Sequence, residues 1–417
     1  MELKLIVILL SLIGGTYSIV LNILRYRSAS NPTPENLKDV YDAESYEKWK
    51  KYSAEHCRLD IVFAIITMIT SIALLSTNAY SAFASLFPQE PLLSDISVII
   101  LECAIGAVFD TVKHYVSTMV IEQKYGFNRT SKKTFIIDTL KRIALEFLLS
   151  LLLVELIALG DMLLGVWMIP VVAGTLFALS LVISFLYPIL SRLGNKFTPL
   201  EDGELKDRLM ALLTDHGYKV KAIEVIDASR RTTKLNAYFT GFGKLKTIVL
   251  YDNLVNSMST DEICSVFAHE LGHGLNKDVT KMQVINSGNF LLIGAAAWGI
   301  LELADLYAQF GFESVNYGFT YIVLGLAIGL IQPLMSMVVN AYSRRAEYRA
   351  DAQAVKEGYG ESMVVALKKL ARENFAHLSP AKLNVLLEYS HPPMAERIAA
   401  IEKETEKKKT KEDNING

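Results

Sequence analysis

Seven apolar runs, each at or near the length that crosses a bilayer, dominate the sequence: 3–24, 61–75, 96–121, 143–159, 164–186, 284–303 and 319–339. Hydrocarbon offers no water to backbone amides, so runs of this kind close their own hydrogen bonds as helices. The first run is too long for a signal-peptide core and lacks a small-residue cleavage site, so it reads as a span. The chain of 417 residues is 51% hydrophobic, and its mean hydropathy of +0.29 lies above that of ordinary soluble domains.

The connecting loops orient the bundle. Lys and Arg crowd the segments after the first run (Arg25, Arg27, Lys38, Lys48, Lys50, Lys51, Arg58) and after the third (Lys124, Arg129, Lys132, Lys133, Lys141, Arg142). Arg192 and Lys196 follow the fifth run, and Arg344, Arg345 and Arg349 the seventh. The loops after the second, fourth and sixth runs contain neither residue type. This alternation predicts seven transmembrane helices, an outside amino terminus and a cytoplasmic carboxyl terminus. A net charge of −2 gives no electrostatic footprint for nucleic acid. Cys57, Cys103 and Cys264 are far apart, without a CxxC pair, and read as reduced thiols.

Two polar blocks fall on the predicted cytoplasmic side. Residues 1–190 hold the first five spans, 191–283 the first polar block, 284–340 spans six and seven, and 341–402 the second block. The charge-rich end, 403–417, cannot bury a core and is expected to be disordered. The first block opens with a helical pattern of Leu205, Leu209, Leu212 and Leu213. Three strand-like stretches follow, AIEVID, NAYFTGF and TIVLYD, separated by the basic turn SRRTTK and by GKLK. The stretch STDEICSVFAHELGHGLNKD then reads as a helix. Ser259 and Glu262 fit a capping box, and Ile263, Val266, Phe267, Leu271 and Leu275 make its apolar stripe.

Within that helix stands HELGH. Residues four apart share a helix face, so His269 and His273 can offer two imidazoles to one metal. Glu270 is positioned to act as general base on a water that the metal acidifies. A catalytic zinc takes a third protein ligand, and no HExxHxxGxxH extension supplies it. The best donor is SRRAEYRAD, where Glu347 and Asp351 lie four apart on one helix face. Glu347 could coordinate, with Asp351 accepting a hydrogen bond from a ligand imidazole, although a solvated charged face gives the same pattern. In YSHPP, His391 sits at a helix entrance with Arg397 a turn further on, which suits either a surface turn or a functional pair. NAYFTGF looks like an edge strand able to pair with an extended substrate, with Asn236 adding a side-chain contact.

VIEQKYGFNRTS, PLEDGEL, LNAYFTGF, HELGH, SRRAEYRAD and YSHPPMAER together resemble the type I CAAX prenyl proteases, membrane zinc endopeptidases of the gluzincin group. The likeness runs from the first span to about residue 402. It implies one zinc ion per chain, held by His269, His273 and Glu347, with Glu270 as catalytic glutamate. It implies that Asp351 orients a ligand or donates a proton, and that His391, Asn236 and Arg397 meet the substrate and transition state. It also implies a hydrated chamber among the seven helices, closed at its cytoplasmic end by a small α+β gluzincin-like domain. Glu102, Asp110, Lys113 and His114 in the third span, with Glu146, Glu155, Glu302 and Asp305, agree with a polar interior, because intramembrane charge is costly unless paired or wet.

One departure stands out: the connection between TIVLYD and HELGH is short where eukaryotic members carry a long charged insertion. That points to a prokaryotic-type homologue, in an inner membrane rather than the endoplasmic reticulum membrane of a eukaryote. The expected activity is hydrolysis of polypeptides, either prenylated CAAX carboxyl termini or, without prenyl groups, misfolded membrane proteins. The competing class is a binding or transport protein with a structural metal site, which needs four protein ligands where three are visible.

Overall fold

The structure, a computed structural model, describes residues 2–88, 90–190, 192, 194–240 and 245–416. Among the described residues five long helices come first: α1 (Leu3–Ser28), α2 (Ala43–Ser76), α3 (Pro91–Tyr115), α4 (Lys132–Leu164) and α5 (Met168–Leu190). Strand β1 (Phe197–Pro199), α6 (Glu204–Asp215), β2 (Lys219–Ile226), β3 (Ala237–Thr240), β4 (Leu245–Tyr251) and α7 (Thr260–Leu275) form the first polar block. Helices α8 (Asp278–Leu301) and α9 (Tyr317–Lys356) return to apolar sequence, and α10 (Gly360–Glu373), α11 (Lys382–Glu388) and α12 (Met394–Asn416) complete the chain.

Among the described residues, six helical segments are long and apolar enough to cross a membrane. One of them, the 55-residue Lys132–Leu186, is two helices, α4 and α5, joined through the short 3-10 turn Gly165–Trp167. Their outward faces carry large apolar side chains: Leu145, Leu148, Leu152 and Leu159 on α4, and Leu334 and Val338 on α9, are all exposed. Surfaces like these are aggregation-prone in water and at home in hydrocarbon. Inside the bundle, Phe319 of α9 packs on Phe310 with ring centroids 4.7 Å apart and on Tyr80 at 5.9 Å. The buried Asp95 carboxylate of α3 accepts from the Tyr317 amide at 2.7 Å and so pins the start of α9.

Helix α9 has 40 residues, a length of about 60 Å against a hydrocarbon slab of about 30 Å. Its apolar first half packs among the other apolar helices, and its polar second half projects into the polar blocks. There the sheet runs β1-β2-β4-β3, with β2 and β4 parallel and β3 antiparallel to β4 at one edge. Leu209, Leu213, Ile223, Ile248, Leu250, Ile263, Phe267 and Leu271 form the core between this sheet, α6 and α7. The capping box is present: Glu262 N donates to Ser259 Oγ, and Ser259 N donates to Glu262 Oε2 at 2.7 Å.

Two features differ from the sequence reading. β1 is a three-residue strand containing Pro199, too short for a period-two signal. Gly241, Phe242 and the first half of GKLK lie outside the described residues. The expected disordered end is instead helical through Asn416. Ile398 and Ile401 are buried at its start, and Lys408 caps the carboxyl end of α9 by donating to the Val355 and Lys356 carbonyls at 3.3 and 3.1 Å. Composition alone missed this because the helix is held by another helix's terminus.

Helices α5 and α8 pack closely because Gly294 has no side chain: a Cβ there would lie 2.8 Å from the Ile169 carbonyl oxygen. Gly299, on the same helix, faces open space. Gly294→Leu is therefore expected to lower the melting temperature of the detergent-solubilised protein by several degrees or to block folding, with Gly299→Leu close to wild type. Thermal unfolding followed by circular dichroism compares the two.

Candidate metal centre

The α7 cap sets the phase of the helix, so His269 and His273 emerge one turn apart towards α9. Their rings lie 4.9 Å apart and nearly perpendicular, at 88°. Gly272, between them, allows α9 to approach. A Cβ at that position would sit 2.8 Å from Ala350 Cα and 3.0 Å from Gln353 Cβ, a distance that side chains do not tolerate. The close crossing carries Glu347 onto the histidines: Glu347 Oε2 is 3.5 Å from His269 Nε2, and Oε1 is 3.3 Å from His273 Nε2. Ligand atoms of these three side chains all lie within 4.8 Å of one another.

The surrounding hydrogen bonds fit a metal. His269 Nδ1 donates to Asp351 Oδ1 at 2.8 Å, and His273 Nδ1 donates to Asp278 Oδ2 at 3.1 Å. Both imidazoles therefore present their Nε2 atoms to Glu347. Glu347 Oε2 is buried without a well-directed hydrogen bond, although His391 Nδ1 and Arg397 Nη1 stand 2.9 and 3.2 Å away. Burial opposes charge on His273, but hydrogen bonds to Glu347 and Asp278 outweigh it, and its pKa is pushed up to about 9. A divalent cation on Nε2 would replace that proton. Two imidazoles and one carboxylate make the donor set of catalytic zinc sites, which keep a fourth position open.

Glu270 lies beside the same group, close enough for its carboxylate to favour the charged forms of His273 and Arg397. It lines a small cavity of about 10 Å³ with Ala237, Tyr238 and Phe267, room for about one water molecule. Ala237 and Tyr238 belong to β3, and no described strand flanks β3 on its outer side. The metal group, the glutamate and an edge strand thus meet at one place.

The description Peptidase family M48 matches residues 199–405, and CAAX prenyl protease N-terminal, five membrane helices, matches 22–192. A CAAX prenyl protease 1 homolog of Oryza sativa is 33% identical, with 93% of this chain and 94% of that protein aligned. The chain belongs to peptidase family M48. CAAX prenyl protease 1 of Saccharomyces cerevisiae is 30% identical over 97% of this chain and 96% of its own. The crystal structure of S. mikatae Ste24p superposes with a TM-score of 0.87 at 27% identity, covering 96% of this chain and 99% of that one. This protein is a multi-pass membrane metalloendopeptidase of the M48 family, related to the CAAX prenyl proteases.

Against that family background, the positions of the remaining residues are informative. Asn236 is exposed at the entrance to β3; its Oδ1 accepts from the Ala237 amide at 2.9 Å and its carbonyl from the Tyr251 amide at 3.1 Å. His391 has 62% of its side chain exposed beside Glu347. Arg397, expected at the substrate, is only 7% exposed. Its Nε and Nη2 donate to Asp351 at 2.9 and 2.6 Å, and its Nη1 faces Glu347. Burial disfavours this guanidinium charge, but the Asp351 hydrogen bonds hold its pKa above the usual value. Two buried carboxylates explain why an arginine is buried with them.

Asp278 escaped the sequence reading, although it closes the HELGHGLNKD stretch. It accepts from His273, from Tyr342 Oη at 2.8 Å and from Arg349 Nη2 at 2.8 Å. An acid just beyond the second histidine, opposite the Arg of SRRAEYRAD, was the available signal. The polar interior is also present: a cavity of about 560 Å³ is lined by Arg25, Asp60, Glu102, Asp110 and Lys113. Lys113 there pairs with Asp60 at 2.8 Å across to α2 rather than with Asp110 on its own helix.

Asp278→Asn keeps the shape of the residue and weakens the anchor on His273 Nδ1. The metal affinity is expected to fall about 10–100-fold with the fold intact, as read by competition with a zinc chelator.

Proposed function

We propose that this protein is a seven-span zinc endopeptidase whose site faces the cytoplasm, with one zinc ion per chain. The reading is carried by the convergence of His269, His273 and Glu347 beside Glu270 and the edge of β3. The seven-span count rests on the six apolar segments, one of which contains two helices. The cytoplasmic side rests on the Lys and Arg alternation of the loops. The connection from β4 to α7, filled by the short helix Asp252–Ser257, supports a prokaryotic-type member in an inner membrane.

Bound at the three ligands, zinc supplies Lewis acidity to water and to the scissile carbonyl. Glu270 takes the proton of the attacking water and returns it to the leaving amine. The backbone of β3 pairs with an extended peptide, Asn236 adds a side-chain contact, and their alignment brings the scissile bond to Glu270. His391, exposed next to Glu347, donates to the developing oxyanion. Asp351 orients His269. Arg397 acts through Asp351 and Glu347, fixing both carboxylates.

The names of the relatives point to prenylated CAAX carboxyl termini as the substrate class. The prenyl chain would lie among the apolar helices and the peptide along β3. Purified protein given farnesylated and unfarnesylated CAAX peptides is expected to release the carboxyl-terminal tripeptide of the farnesylated one faster, as mapped by mass spectrometry. Equal cleavage of both would favour a protease of misfolded membrane polypeptides.

Glu270→Gln is expected to retain one zinc per chain while cleavage falls about 10²–10⁴-fold. Metal content and turnover are measured on the same sample, and wild-type turnover would remove Glu270 from the mechanism. Chelation is expected to abolish cleavage and added zinc to restore it; activity persisting in metal-free protein would reject the metal mechanism.

A further inference from the structure

The segment 232–236 leads directly into β3, yet elements outside the sheet hold it. Thr232 makes a β-bridge with Asn128, and the Thr233 amide donates to the Phe127 carbonyl at 3.1 Å. Leu235 exchanges two hydrogen bonds with the Asn374 side chain, at 2.9 and 3.2 Å. Between these lies a charged contact. Lys234 Nζ donates to Glu122 Oε1 at 3.0 Å and to Tyr52 Oη at 3.3 Å, and Tyr52 Oη donates to the same Glu122 oxygen at 2.6 Å. The Lys234 ammonium also lies 5.1 Å from the Phe127 ring centroid.

Glu122 ends a π-helical stretch, Val116–Glu122, that continues α3. Such wide turns are rare and recur at functional sites, because they change which residues face a neighbouring helix. Here the stretch leads into a turn in which the Glu122 carbonyl accepts from the Phe127 and Asn128 amides at 2.8 and 3.2 Å. Glu122 therefore holds the β3 approach twice, through its carboxylate on Lys234 and through its carbonyl on the residues that bridge to 232–233. Its carboxylate is 17% exposed and the Lys234 side chain 34%, sheltered enough for the ion pair to matter more than a surface pair.

We propose that Lys234 and Glu122 are positioning residues that set the peptide-binding strand β3 in register with Glu270. The proposal rests on the peptidase reading above. Among the described residues β3, four residues long, has a ladder only to β4, so its own hydrogen bonds hold it weakly. Lys234 is two residues from Asn236 and three from Ala237, which lines the Glu270 cavity. A strand released from Glu122 samples more conformations, and only the fraction in register binds an extended peptide. Apparent affinity falls by that fraction, while the chemical step in the bound complex is unaffected. The loss belongs in KM rather than kcat.

The test uses full-length, zinc-loaded protein in detergent with a farnesylated CAAX peptide. Lys234→Met and Glu122→Gln are each expected to raise KM about tenfold, with kcat within about threefold of wild type and zinc at one per chain. Lys234→Arg and the charge-exchanged pair Glu122→Lys with Lys234→Glu are expected to recover most of the loss. Hydrogen exchange supplies a readout that needs no cleavage: amides of 237–240 should exchange about tenfold faster in Lys234→Met, with α7 unchanged. Unaltered exchange in 237–240 overturns the proposal whatever the kinetics. A fall in kcat accompanied by zinc loss and lower thermal stability, without recovery in Lys234→Arg, also overturns it. If the zinc-loaded wild type cleaves no peptide, the peptidase reading fails by itself, and the exchange data still decide whether Lys234 positions the strand.

Discussion

The crossing of α7 and α9 at Gly272 is the contact on which the rest of the site depends. The Ala350 backbone occupies the place a Gly272 side chain would take, so the two helices meet at a distance that few other residue types permit. At that distance one carboxylate spans both imidazoles, and Asp351, four residues on from Glu347, meets the far nitrogen of His269. Arg397 then enters from α12 because two buried carboxylates need a compensating charge. Each element is thus recruited by the electrostatic debt of the preceding contact.

The same helix couples the site to the membrane. α9 packs its Phe319 end on Tyr80 and Phe310 and carries Glu347 near its other end. One helix of about 60 Å, continuous through its internal Pro333, joins the bundle to the end that carries Glu347. α3 makes a comparable link: it lines the polar cavity with Glu102, Asp110 and Lys113, and its π-helical continuation reaches the segment before β3. The site is therefore framed by two helices that start inside the apolar bundle.

Patterns in the sequence carried much of this. The apolar runs, the α7 cap and stripe, and the i,i+4 pairs His269–His273 and Glu347–Asp351 are local, governed by helix periodicity and hydropathy, and so readable from spacing. Residues whose meaning is set by a partner far along the chain were harder. Asp278 drew no notice at the end of the HELGH helix, and only the fold brings Tyr342 and Arg349 onto it. Arg397 was expected at the substrate, and nothing in its spacing showed that it lies buried against Asp351. Lys113, one turn from Asp110 on its own helix, pairs with Asp60 on α2 instead. The charged end looked unable to fold because its composition lacks a core, yet α12 continues on Lys408 and the carboxyl end of α9.

By itself, then, the sequence determined that the chain crosses a membrane several times, that HELGH sits on a capped amphipathic helix, and that a second carboxylate pair shares a face elsewhere. These follow from interactions within one turn of helix or one span of bilayer, which any reader of spacing can reconstruct. Only the tertiary structure decided that Glu347 faces both histidines, that Asp278 and Asp351 fix their tautomers, and that β3 lies beside Glu270. Those contacts join residues separated by up to about eighty positions, and no local periodicity encodes which of many acids will meet which histidine. That choice is made where two helices can approach most closely, and here a glycine facing an alanine backbone makes it.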